Sequence, residues 1–223
     1  MLNIWFALTL LLICVNWLSV WFGWKILNTI SKPAVILAIL AWFLSQCGCR
    51  TPSLWFCIGL VFSLAGDVLL MLPNRFFLYG TVAFMLTHAA YSIGFNQPPP
   101  DFSLSILILL VAFASLMALI YTVLRRGVKS NAAFRRMVHP LAFYSMVISL
   151  MVFSALATLV RTDWRMDAAG LAASGALLFL FSDILLAVDR FIQPLPTARL
   201  WKRVAYQLGQ LALVAGVLIQ FSQ

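Results

Sequence analysis

Eight apolar runs, each near the length of a membrane-crossing helix, leave this 223-residue chain few ways to fold. A helix through hydrocarbon needs about 20 mainly apolar residues, because no backbone amide or carbonyl can be left unpaired there. The runs fall at 2–22, 33–47, 54–72, 76–95, 103–124, 139–160, 168–188 and 203–221. The second is short and can extend back through Lys32 if the lysine stem snorkels to the surface. Pro33, Pro52, Pro73, Pro98 to Pro100, Pro140, Pro194 and Pro196 fall at or near the ends of runs, where proline disturbs a helix least. Connections are brief, and no soluble domain fits between them. The expected architecture is all-α: a polytopic helical bundle of about eight transmembrane helices, with residues 1–223 as one integral-membrane domain. Composition agrees, since 64% of residues are apolar and 9% charged, against about 45–50% and about 25% in soluble domains.

The net charge of +9 does not point to nucleic acid in such a chain. All Lys and Arg residues except Arg50, Arg161 and Arg165 fall on one side of the predicted spans. By the positive-inside rule that side is cytoplasmic. The loops at about 23–32, 73–75, 125–138 and 189–202 are then inside, and both termini are outside. No basic stretch precedes the first run and no cleavage site follows it, so it reads as a span rather than a signal peptide. A plasma (inner) membrane location is expected.

Two aspartates interrupt the apolar pattern. Asp67 lies in Ala65-Gly66-Asp67-Val68-Leu69-Leu70-Met71, and Asp183, 116 positions on, lies in Phe181-Ser182-Asp183-Ile184-Leu185-Leu186-Ala187. A carboxylate at membrane depth costs about 2.5–3.5 kcal/mol on insertion scales, so each needs a reason. Arg75-Phe76 and Arg190-Phe191 follow them, and Lys32-Pro33 and His139-Pro140 correspond one span earlier. These matches suggest a parallel four-plus-four internal repeat. Both aspartates sit about six residues, roughly 9 Å, from the cytoplasmic end of their spans. Equal depth lets the two carboxyls share a cavity; each could instead cap a neighbouring helix or pair with a buried cation.

Further polar residues collect nearby. Phe77, Gly80, Phe84, His88, Tyr91 and Phe95 recur at helical spacing and share one face of the fourth span. His88 reads either as a core histidine bonded to a hydroxyl or as a wall of the cavity that holds Asp67. Tyr206 and Gln210 lie one turn apart in the last span, Tyr144 about one turn inside the sixth, and Lys32 at the mouth of the second. Each has a structural alternative: interfacial tyrosine, helix–helix glue or snorkelling lysine. Their shared depth with Asp67 and Asp183 predicts a site between helices, open toward the cytoplasmic leaflet. No nucleotide-binding, zinc-protease or nucleophile-elbow motif is present. Neither aspartate has a second ligand three or four residues away, so no metal and no cofactor is expected. Cys14, Cys47, Cys49 and Cys57 read as small apolar filler, with a Cys47–Cys57 bridge as the alternative.

At these residues the chain resembles the YhhN-like lysoplasmalogenase family of multi-pass membrane hydrolases. The resemblance rests on Ser31-Lys32-Pro33, on Ser63 through Met71, and on the Phe77-to-Phe95 face. It continues with Gly175-Ala176, Phe179, Ser182-Asp183, Ala187, Phe191, Tyr206 and Gln210-Leu211. It implies hydrolysis of the vinyl ether bond of a lysoplasmalogen, with a lysophospholipid as substrate and the bilayer as surroundings. Protonating the outer alkene carbon of a vinyl ether creates an oxocarbenium ion that water attacks. That chemistry calls for a protonated acid beside a carboxylate, as in glycoside hydrolysis. The expected catalytic pair is Asp67 and Asp183. His88, Tyr91, Tyr144, Tyr206 and Gln210 would orient the carboxyls, water and substrate, and Lys32 would meet the phosphate. A transporter or lipid-binding protein with embedded aspartates is the main alternative, and an intramembrane aspartyl protease a lesser one. Oligomeric state is not legible in the sequence.

Overall fold

The computed structural model describes residues 3–48, 52–101, 103–130, 138–195 and 198–221. Cys49, Arg50, Arg135, Arg136 and Pro196 lie outside them. Eight α-helices follow one another with no strand among the described residues: α1 (Ile4–Trp21), α2 (Lys25–Cys47), α3 (Ser53–Met71), α4 (Phe77–Phe95), α5 (Leu104–Ser130), α6 (Val138–Ala157), α7 (Met166–Ala187) and α8 (Ala198–Phe221). All eight segments are long and apolar enough to cross a bilayer. This is the expected all-α, eight-span membrane bundle.

Several boundaries differ from the hydropathy reading. α2 starts at Lys25, not 33, and carries Pro33 in its interior. Proline removes one backbone donor, and two hydroxyls in the turns before it bond back to carbonyls four residues earlier, a pattern that goes with helix bending. Thr29 Oγ1 donates to the Lys25 carbonyl at 2.9 Å and Ser31 Oγ to the Leu27 carbonyl at 2.6 Å. Lys32 is therefore two turns inside a helix rather than at its mouth. α5 runs on to Ser130 and α8 begins at Ala198. Hydropathy marks only the apolar part of a helix, whereas Arg and Lys have good helical propensity and let it continue. Cys47 is a thiol, so the Cys47–Cys57 bridge does not form.

Two helix pairs frame the site. Between α3 and α4, a glycine on one helix receives an aromatic ring from the other. A Cβ at Gly59 would run into the Tyr91 ring, one at Gly66 would fall 2.7 Å from Phe84, and one at Gly94 2.6 Å from Phe56. Gly66 is thus the seat of Phe84, next to Asp67. Between α7 and α8 the backbones themselves meet. A Cβ at Gly175 would collide with the Leu213 nitrogen, and one at Gly216 would lie 2.5 Å from the Ala168 carbonyl oxygen. Without a hydrophobic drive between helices in lipid, such small-residue contacts are what hold them. α5 is the outlying helix; Leu104, Leu107, Ile108, Val111 and Leu119 are exposed on it and Phe113 is buried.

At the end of α4 opposite Asp67, Arg161 is buried and ties the turn before α7 to the bundle. It donates to the Phe95 carbonyl at 3.0 Å and the Pro98 carbonyl at 2.7 Å. It also pairs with Asp163 at 2.6 Å. The Arg161 hydrogen bond holds the Asp163 carboxyl below the usual carboxylate range.

Candidate active site

Asp67 is 1% exposed and sits in an ion pair, Lys32 Nζ to Oδ1 at 2.8 Å. Its other oxygen, Oδ2, accepts from Tyr206 Oη at 3.0 Å. A phenol has one proton, so the 2.6 Å contact between Ser63 Oγ and Tyr206 Oη must be donated by Ser63. Behind it, Gln210 Nε2 donates to Ser63 Oγ at 2.8 Å, and Tyr91 Oη donates to Gln210 Oε1 at 2.9 Å. Tyr91, Gln210, Ser63 and Tyr206 thus form a one-way chain of donors, drawn from α4, α8 and α3, that ends on Asp67. Every member is buried. In low dielectric such a fully satisfied network is rigid, and a missing member is costly.

Asp183 anchors a second network. Tyr144 Oη donates to Oδ2 at 2.5 Å. His88 Nε2 lies 3.0 Å from Tyr144 Oη and 3.4 Å from Asp183 Oδ2. Because the Tyr144 proton is already given to Asp183, the His88 contact is assigned as Nε2–H donating to the phenol oxygen. The His88 ring is fully buried, edge-on to Phe179 at 4.8 Å. Its Nδ1 finds no partner among the described residues. Among the described residues, hydrogen bonds reach Asp183 at Oδ2 and none reaches Oδ1.

Phe84 and Phe179 pack edge to face with each other and with Tyr206 of the first network at 5.2–6.2 Å, and Phe179 also meets His88 of the second. No direct hydrogen bond joins Asp67 to Asp183 among the described residues. An apolar cavity between α4, α5, α6 and α7 is lined by Phe84, Leu141, Tyr144, Leu180 and Asp183. Lys32, Asp67, Tyr91, His88, Tyr206 and Gln210 do not line it.

The structure therefore sorts the predicted residues into two groups. Lys32, Asp67, Tyr91, Tyr206 and Gln210 belong to one; His88, Tyr144 and Asp183 belong to the other. His88 stands with Asp183, not in a cavity wall around Asp67, and its bond to a hydroxyl is the alternative read from the sequence. The Phe77-to-Phe95 face of α4 turns inward, buried from Gly80 onward. Asn16 and Gln207 escaped the sequence reading. Gln207 Nε2 donates to Asn16 Oδ1 at 2.9 Å, Asn16 Nδ2 to Ser31 Oγ at 2.8 Å, and Trp17 Nε1 to Gln207 Oε1 at 2.8 Å. This cluster clamps α1 and α2 to α8 beside Lys32 and Tyr206. The only advance signal was an amide within the first span. Among the described residues no three His, Cys or Asp side chains converge.

A helical multi-pass membrane protein with two buried carboxylate networks, one of them opening on an apolar cavity, is the class that fold and site define. The model of the YhhN family matches residues 27–217, and the chain belongs to that family. It is 32% identical over 188 residues to mouse lysoplasmalogenase TMEM86B, covering 84% of this chain and 73% of the relative. Human lysoplasmalogenase TMEM86A is 32% identical over 158 residues, 69% of this chain and 61% of that protein. A Dictyostelium discoideum lysoplasmalogenase homolog is 26% identical over 165 residues, 64% of this chain and 52% of its own. No solved structure matches.

Proposed function

We propose that this protein hydrolyses the vinyl ether bond of lysoplasmalogens in the plasma (inner) membrane. The products would be a fatty aldehyde and glycerophosphoethanolamine or glycerophosphocholine. The relatives' activity supports the substrate class. The observation that carries the chemistry is Asp183: a carboxyl lining an apolar cavity, with Oδ2 held by Tyr144 and Oδ1 left for a substrate. Asp183 is the proton donor to the outer alkene carbon, and the electron pair of the double bond forms the new C–H bond. The oxocarbenium carbon takes up water. One proton of that water returns to the carboxylate, and the hemiacetal then releases the glycerol oxygen as alcohol, leaving the aldehyde.

Asp67 is the second carboxylate of the pair. It is held by Lys32 and by Tyr206, whose ring packs against Phe84 at the cavity wall, and through that packing it acts on the cavity where water attacks. His88 and Tyr144 position Asp183; Tyr91, Gln210, Ser63 and Tyr206 position Asp67. The wall that α5 contributes to the cavity, through Met117, Ile120 and Tyr121, belongs to the least buried helix. A single-chain lipid can enter beside it from the leaflet. General acids contribute about 10²–10⁴-fold, so Asp183→Asn should lower aldehyde release from lysoplasmenylethanolamine by at least that much. Asp67→Asn should lower it comparably. Full activity in either purified variant would sink the two-carboxyl mechanism.

A further inference from the structure

The apolar cavity does not end at its apolar walls. Leu70, Phe77 and Leu186 line it and also line a second cavity of about 250 Å³, whose other walls are Leu72 and four polar side chains: Asn74, Asp189, Arg190 and Lys202. We propose that this adjoining pocket holds the phosphate headgroup of the substrate, with Arg190 and Lys202 as its ligands. The inference rests on the hydrolase reading above and assigns residues to a part of the substrate that reading leaves unplaced.

Three observations carry it. First, the cations are available. Arg190 lies over the Phe77 ring, 4.8 Å from the centroid, and among the described residues its only hydrogen bond is to Asn74 Oδ1 at 3.0 Å. Stacking and one bond fix the guanidinium plane and leave its remaining donors for an anion. Lys202 is held by Asp189, which also accepts from the Leu195 amide at 2.8 Å. Asp189 thus positions the ammonium, and two cations against one carboxylate leave the pocket positive. Lys32, in contrast, is engaged by Asp67 and lines neither cavity.

Second, the spacing fits. Seven bonds separate the protonated alkene carbon of a lysoplasmalogen from its phosphorus. With bonds near 1.5 Å, each advancing about 1.25 Å, the extended span is about 9 Å. Arg190 follows Asp183 by seven residues, through a π-helical turn at Val188–Ile192, which is about 10 Å along the helix. The backbone positions that carry the acid and the cation are therefore separated along the helix by about the alkene-to-phosphorus span. Third, the polarity is ordered as an amphiphile requires, with an apolar cavity for the chain and a charged one at the end of α7 for the head.

The test compares two substrates, lysoplasmenylethanolamine and the phosphate-free 1-alkenylglycerol, in the wild type, Arg190→Gln and Lys202→Gln. The ratio of kcat/KM for the first over the second should fall at least tenfold in each variant, through KM. Binding is measured in parallel with the saturated 1-alkyl lysophosphoethanolamine, which has no vinyl ether to cleave. Its Kd should rise at least tenfold in both variants. An unchanged selectivity ratio, or an equal loss on both substrates, overturns the pocket. If the wild type releases aldehyde from neither substrate, the hydrolase reading fails. The binding arm then decides the pocket alone: a tenfold weaker Kd supports it and an unchanged Kd overturns it.

Discussion

Lys32 and Asp67 form an ion pair between two membrane-spanning helices, with side chains only 12% and 1% exposed. Removing one partner of a buried pair typically costs about 3–5 kcal/mol, because the other charge is left uncompensated. Lys32→Met should therefore destabilise the protein by about that amount. Lys32→Met combined with Asp67→Leu should recover most of the loss while remaining inactive. Thermal unfolding in detergent and an aldehyde assay on the same samples separate the two effects. Tyr144 offers the complementary case. Its hydroxyl donates to the proposed acid, which becomes a carboxylate as the proton leaves, and a hydrogen bond to a charged group is worth about 1.5–3 kcal/mol. Tyr144→Phe should thus lower kcat about 10- to 100-fold with KM little changed, as expected of a positioning residue. A purely structural tyrosine would instead lower the melting temperature with kcat intact.

At the scale of helices, the α7–α8 contact sets the geometry of both networks, since α7 carries Asp183 and α8 carries Tyr206 and Gln210. A Cβ added at Gly175 or Gly216 would collide with backbone atoms of the facing helix, whereas nothing lies within 4 Å of one at Gly170. Backbone cannot move aside as a flexible side chain can. Gly175→Val should force the helices apart, breaking the Tyr206–Asp67 bond and abolishing activity. Gly170→Ala should instead be neutral or stabilising by up to about 1 kcal/mol, the helical preference of alanine over glycine. Melting temperatures of the two variants check this directly. The sequence foreshadowed Gly66 and Gly175 only as letters in a resemblance. Which ring or backbone each would face depends on helix rotation, and periodicity within one helix cannot supply that.

For the molecule as a whole, the uneven distribution of basic residues predicts, by the positive-inside rule, both termini outside the cytoplasm and the segment at about 125–138 inside. Reporters fused after residue 223 should show the non-cytoplasmic phenotype, and an impermeant thiol reagent should reach a cysteine introduced in that loop only from the cytoplasmic face. The reverse pattern would turn the proposed site toward the other leaflet. Much of this protein was legible in the chain alone: eight helices, because hydrocarbon forbids unpaired backbone, and two aspartates, because a carboxylate at that depth needs a partner. Their partners were not. Lys32 fell to Asp67 because α2 continues through Pro33, and His88 fell to Asp183 because α4 packs against α6. Composition and spacing determine which residues must be enclosed. Only the packing of one helix against the next decided which of them meet, and that an apolar cavity opens on Asp183 and not on Asp67.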